Sequence, residues 1–501
     1  MKRFYLILIC VTIILTSCQG IPLTTTPEQS IPITTTPQTT SEPQEPPVIT
    51  EYYQKWLDNA ADFLSSVKIS ATEESIHITA ESGTLAWSTS YILNALYKGY
   101  CASGDEEYIK ILAIYLYRIF NLMKDQDGDG YLNWGQAYDL GANEKYEYDE
   151  YLCHGGVFLS MASEFVNIIY ADPILAKKSA YLRISYKEIA DYIVDRSINH
   201  VIPAFEKDWN DELGVYMNRP GSVNWHGATY PISLPHNQYL TIVPALINLA
   251  KICPEKRTDY LYKAEKMLAT FKSYITYKDD GTVMWNYNDS MFEGDYPVSA
   301  KEDYSHIIWG IVAMTYGHSN DIVFGISDLE AISKTLETTM FRGSEDEPKI
   351  TERINGVGKK FPLFLHMFDL GIYGQKIIQR GIQTLIYTET ETGRDAPRIL
   401  AIHPDTPIPR WFDLTLPANN AENVGSTEAF IWQREAYANY YTLQIATDAD
   451  FTNIIVNRDK ILQSSVIVSD LPASSTLYWR VIAKNIKGDE TISQTFIFKT
   501  A

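Results

Sequence analysis

Residues 85–120 read LAWSTSYILNALYKGYCASGDEEYIKILAIYLYRIF, and their apolar positions recur with the period of a helix rather than a strand. Trp87, Tyr91, Ile92, Ala95 and Leu96 form one stripe, Leu112, Tyr115, Leu116 and Ile119 the next, and Ser103-Gly104-Asp105 between them is a turn. The same pattern returns at 155–170, 180–196, 237–252, 258–274, 304–317 and 327–341, where Ser327 and Glu330 have the spacing of a capping box. Pro244 is expected to kink its helix. Helical hairpins repeated over residues 51–400 predict a mainly α fold, an α/α toroid or incomplete hairpin barrel with its loops gathered on one rim.

Outside this region the chain changes character at both ends. It opens MKRFYLILICVTIILTSCQG, with basic Lys2 and Arg3, an apolar run shorter than a membrane-spanning helix, and small residues just ahead of Cys18. Residues 1–17 therefore read as a signal peptide. The ending resembles a bacterial lipobox, which implies that Cys18 is acylated and that the protein is held outside the cytoplasm by a lipid anchor. Residues 18–50 are rich in Pro and Thr, with IPLTTTPEQS nearly repeated as IPITTTPQTT, and are expected to be a disordered tether.

From 405 to 501 the period falls to two. Ala429–Trp432, Tyr441–Ala446, Leu477–Ala483 and Thr495–Phe498 read as strands separated by turns. The runs LTLPANNAENVGSTEAFIWQ, YYTLQIATDADFTNIIV and LPASSTLYWRVIAKN resemble bacterial fibronectin type III modules, which implies a C-terminal β-sandwich.

Composition narrows the function. The chain has 42 Lys and Arg against 62 Asp and Glu, a formal net charge of −20, so nucleic acid is not an expected partner. Cys101, Cys153 and Cys253, the cysteines left beyond the signal and Cys18, show no C-x-x-C spacing, which argues against a zinc or dithiol site and for apolar burial. Asp125, Asp127 and Asp129, followed by Gly130, have the D-x-D-x-D-G opening of a calcium loop, although Gln136 stands where such a loop carries its bidentate Glu. A structural Ca²⁺ is the cofactor this pattern would hold, and chemistry elsewhere requires none.

Four polar, aromatic segments are the places for a site: Tyr148–His154, Asn224–His226 with Pro235–Tyr239, Trp285–Tyr287, and Glu302–His306. Glu302 and His306, four apart at the start of an apolar helix, are expected on one helix face. PHNQYLTIVPALINLAK, WNY and EDYSHIIWGIVAMTYGH resemble segments of toroidal uronate-polymer enzymes, namely alginate and glucuronan lyases and the C-terminal domain of glucuronyl C5-epimerases. That resemblance implies an acidic polysaccharide substrate and abstraction of the proton on C5. His236 and Asn237 would then face the uronate carboxylate, with His236 and Tyr287 in proton transfer and Glu302 and His306 helping to arrange the carboxylate. Arg219 and Arg353 are cations able to clamp substrate carboxylates, and Trp225 is a candidate contact. β-Elimination is the expected outcome and C5 epimerisation its neighbour. The rivals are a glycoside hydrolase, pairing Glu302 with Asp149 or Glu150, and a non-catalytic glycan-binding lipoprotein.

Overall fold

The computed structural model describes residues 49–72, 80–139, 146–218, 232–288, 301–343, 349–362, 370, 372–374, 376 and 392–501, all within one compact unit, Pro47–Ala501. The signal segment, Cys18 and nearly all of the tether lie outside the described residues.

The longer helices are α1 (Glu51–Thr72), α2 (Ser90–Ser103), α3 (Glu106–Phe120), α4 (Leu152–Ala171), α5 (Tyr186–Arg196), α6 (Val243–Ile252), α7 (Arg257–Tyr274), α8 (Ile307–Ser319), α9 (Ile326–Lys334) and α10 (Thr392–Leu400). Local chemistry sets their ends. Gly104 takes the left-handed conformation (φ +69°) that stops α2, its N–H bonding Tyr100 O at 2.8 Å. Asp105 then caps α3 by accepting from Glu107 N at 2.9 Å. The box expected at Ser327 and Glu330 sits two residues earlier: Gly325 is the N-cap of α9, and Asp328 reaches back to Gly325 N at 2.8 Å. Pro244 falls in the first turn of α6, after a 3₁₀ turn at Leu240–Ile242, where its missing N–H costs nothing, so it starts a helix instead of kinking one.

The expected toroid is a correction. The described residues are 47% helix and 22% strand, a mixed composition rather than a mainly α one, and no ring of helical hairpins closes among them. Instead α4, apolar on nearly every face and buried along almost its whole length, lies among α2, α3, α5 and α6. Two-stranded hairpins such as Gln136–Asp139 with Tyr146–Asp149 interrupt the helical succession. A helix apolar all round must be sheathed on every side, and that requirement organises the packing.

The C-terminal strands are β1 (Leu414–Leu416), β2 (Ala421–Val424), β3 (Glu428–Trp432), β4 (Tyr440–Ala446), β5 (Ile454–Ile461), β6 (Ser465–Val468), β7 (Thr476–Lys484), β8 (Glu490–Ile492) and β9 (Phe496–Thr500). One sheet has the order β1-β3-β6; the other runs β2-β9-β7-β4-β5, with β8 on β7. They share an apolar core that includes Phe430, Trp432, Val466 and Val468 from the first and Tyr441, Leu443, Trp479 and Val481 from the second. Alternate residues of the first sheet, Ala429, Ile431 and Ile467, point the other way and join the helical core. This sheet is therefore buried on both faces. Polar bonds lock the contact: Lys251 Nζ donates to Ser465 O at 3.0 Å, Ile467 N to Asn320 Oδ1 at 2.9 Å, and Arg257 Nη1 to Thr427 O at 2.9 Å.

Candidate active site

All four polar segments contribute residues that converge. Residues Pro235–Tyr239 enter a short helix, and their backbone meets the Trp285–Tyr287 segment where His236 N donates to Tyr287 O at 3.3 Å. Gln238 Nε2 donates to Tyr287 Oη at 3.1 Å, and Tyr151, just ahead of α4, donates its hydroxyl to Gln238 Oε1. From the other side Glu302 N donates to Trp285 O at 3.1 Å, and the ring of His306 lies 5.0 Å from that of Tyr287 at 50°. The result is a continuous polar chain, Tyr151–Gln238–Tyr287, ending on His306.

The turn before α8 orients His306. Asp303 Oδ1 accepts from Ser305 N at 3.0 Å and from His306 N at 3.2 Å, holding residues 303–306 in a capped turn. Asp303 Oδ2 is left for His306 Nδ1 at 2.8 Å, with Arg353 Nη1 at 3.6 Å. A carboxylate on Nδ1 fixes the imidazole with its proton there and its Nε2 lone pair free for chemistry. Because 301–306 is not helical, Glu302 and His306 do not share a face. Glu302 turns inward at 1% exposure, accepting from Trp285 Nε1 at 3.3 Å and Asp303 N at 3.0 Å.

Burial separates the two neighbouring carboxyls. It pushes Glu302 up to about 8, so this group is protonated at neutral pH. Burial acts on Asp303 too, but the bonds it accepts from His306 and Ser305 outweigh it and hold the carboxyl below its usual range. Burial, then Glu302, Cys153 and Asp303, raise the Tyr287 phenol, against the bond from Gln238. Tyr287 is a proton donor at rest.

The remaining expected residues divide. His236 is 1% exposed, bonded through Nδ1 to Tyr239 Oη at 2.7 Å and packed against Phe271 and Tyr274, an interior position from which it reaches Tyr287 only through its backbone. Asn237 is also buried, and its Oδ1 has no hydrogen-bond partner among the described residues. Arg353 is partly exposed; it donates to Lys301 O at 3.1 Å and pairs with Glu352 at 3.3 Å. Arg219 and Trp225 lie outside the described residues. Glu150, raised to about 7 chiefly by burial and then by Asp127, sits with Tyr148 and the acidic loop, whereas Glu302 sits with Trp285 and Asp303.

In that loop the carboxylates of Asp125, Asp127 and Asp129 come within 4.8 Å of one another. Gln136 is turned away, accepting from Gly83 N at 2.6 Å. The ammonium of Lys207 bonds Asp129 Oδ2 at 2.7 Å and lies 3.6 Å from Asp127 Oδ2, so the chain itself brings one positive charge to the cluster.

Sequence reasoning passed over a second polar group on the same chain of contacts. His154 is buried; its Nε2 accepts from Trp87 Nε1 at 3.0 Å, which leaves the proton on Nδ1 to be donated to Ser82 Oγ at 3.0 Å. Burial lowers its pKa to about 4, keeping it neutral. His154 was visible in the sequence as part of a polar segment, but nothing there linked it to residues about seventy positions earlier. In comparisons with known proteins, neither a protein family nor a curated protein matches this chain.

Proposed function

We propose that the protein cleaves a uronic-acid-containing polysaccharide by β-elimination, with His306 as the base at C5 and Tyr287 as the acid at O4. The observation that carries this reading is the side-by-side pairing of an Asp303-oriented imidazole with a protonated phenol held by Gln238. In the step, Nε2 of His306 takes the C5 proton, the electron pair forms the C4–C5 double bond, and the C4–O4 bond breaks as O4 takes the Tyr287 proton. Return of the proton from His306 through solvent resets the pair. No oxidant or reductant is needed. Arg353, beside Asp303, is a cation available to the substrate carboxylate, whose developing charge requires a preplaced partner. Glu302 and His236 are positioning residues: one fixes the Asp303 backbone and Trp285, the other the Tyr287 carbonyl. Acylation of Cys18 would place this activity at the outer surface of a bacterial membrane.

The test is incubation with glucuronan, alginate and glycosaminoglycans. Elimination leaves a conjugated, ultraviolet-absorbing uronate. Absorbance should rise with the wild type and fall by about 10²–10⁴-fold with Tyr287→Phe or His306→Ala. Solvent deuterium entering C5 without cleavage would make the enzyme an epimerase. New reducing ends without absorbance would make it a hydrolase, and binding alone would overturn catalysis altogether.

A further inference from the structure

Trp87 is 42% exposed, unusual for an indole, yet its one polar atom is not offered to water. The ring N–H points inward to His154 Nε2, so the surface presents only the apolar part of the ring. The support beneath it is stiff. Trp87 lies in a π-helical turn, Leu85–Thr89, a local geometry that recurs at functional sites. The preceding residues are pinned to the Asn133–Gln136 segment: Ser82 N donates to Gly135 O at 3.2 Å and Gly83 N to Gln136 Oε1 at 2.6 Å. A Cβ at position 83 would come within 2.3 Å of Gln136 Oε1 and displace that side chain from its bond to Gly83 N.

Two further features give the ring a direction. A groove of about 430 Å³, lined among others by Glu81, Lys124, Gln136 and Tyr148, opens on the same segment, a size within the range of small-ligand sites. In the other direction the contacts run inward to the proposed chemistry. His154 packs edge-on against Tyr151 with ring centroids 5.0 Å apart, and Tyr151 bonds Gln238, which bonds Tyr287. An exposed apolar ring surface anchored on a buried neutral imidazole, and linked through His154, Tyr151 and Gln238 to Tyr287, matches the chemistry of a pyranose ring, whose C–H face stacks on aromatics while its hydroxyls bond at the edges.

We infer that Trp87 is the stacking platform of a saccharide subsite remote from the reacting bond, oriented by the Ser82–His154 pair. This deepens the uronate reading and rests on it for the identity of the sugar, though not for the stacking itself. Such a contact acts on binding of longer chains rather than on the chemical step.

The experiment measures quenching of intrinsic fluorescence, isothermal binding and steady-state kinetics with glucuronan and alginate oligosaccharides of increasing length, and with cello-oligosaccharides as neutral controls. Trp87→Ala should weaken binding of the longer oligomers about tenfold, raise KM for them, leave kcat and the shortest oligomers little changed, and keep the wild-type melting curve; Trp87→Phe should restore part of the loss. If a uronate polymer is cleaved and Trp87→Ala changes neither KM nor its dependence on length, the subsite is wrong and the function stands. If no uronate polymer is cleaved but an oligosaccharide binds to the wild type and not to Trp87→Ala, the function is wrong and the subsite stands. Absence of binding by any of these glycans to the wild type overturns the subsite.

Discussion

The C-terminal strands and the helical region bury different things. Between its two sheets the strand region packs apolar and aromatic side chains, and the charged groups buried at its edge are Glu435 and the Arg434 guanidinium, which bonds the Leu462 and Ala438 carbonyls. The helical region buries Glu164, His236, Lys251 and Glu302 within or beside its core. An apolar core is cheap to assemble, whereas each buried ionisable group needs a partner or a shifted pKa to be tolerated. The difference locates the working part of the molecule: polar groups inside a body that could have been built from leucine are retained for what they do.

The largest effect should come from Lys251, where the two regions meet. Burial lowers its pKa to about 8, opposed by the charge of Glu164, and its ammonium bonds both Asn248 and the β6 carbonyl of Ser465. Lys251→Ala should cost about 3–5 kcal/mol in a denaturant melt, because Glu164 and two acceptors lose their cation. A loss under about 1 kcal/mol would show that the interface does not depend on this group. Next comes Ile431, which faces the helical core from a strand whose neighbours Phe430 and Trp432 face the other sheet. Ile431→Ala should cost about 2–4 kcal/mol and still leave one cooperative transition. Two separated transitions would mean that the strand region folds independently of the helices, the behaviour its sequence suggests.

The smallest effect is in the shape of a pH profile. Glu302, raised from 4.5 to about 8, binds its proton more tightly folded than unfolded, so its contribution is fully present below about pH 4.5 and is lost as pH rises towards 8. Lys251, lowered from 10.5 to about 8, has the opposite sense: the folded state binds fewer protons, and stability rises between pH 8 and 10.5. Glu302→Gln keeps the shape and removes the titration. It should flatten the decline between pH 4.5 and 8 while leaving the alkaline limb in place; an unchanged acid-side profile would show that Glu302 is ionised in the folded protein.

The strands were legible because alternation is a local property. Ala429–Trp432, Tyr441–Ala446 and Leu477–Ala483 were read from period two alone and lie within β3, β4 and β7. What alternation could not disclose is that the second face of β3 is also covered, since Ala429 and Ile431 look the same whether they meet solvent-side helices or another sheet. Most helical segments were legible to within a few residues for the same local reason, although residues 180–185, read as helix, form a two-stranded hairpin before Tyr186, and how the helices stack is decided by α4, whose lack of a polar face leaves no periodicity to interpret. In the site, Tyr287 and His306 were found as polar aromatic residues in short motifs. The pairing of Glu302 with His306 was misread because the i,i+4 rule presumes a helix, and the helix begins at Ile307. The Trp87–His154 bond joins residues sixty-seven positions apart and has no sequence signature at all.

The double burial of β3 and β6 also bears on how the molecule comes into being. Synthesis proceeds from the N-terminus, and domains ordinarily fold as they emerge. Here α6, with Lys251 facing the eventual position of Ser465, is made long before the strand that covers it. Until β6 is in place, a patch of helical core stays open and a buried-to-be ammonium stays wet. A segment made more than two hundred residues later is what closes α6.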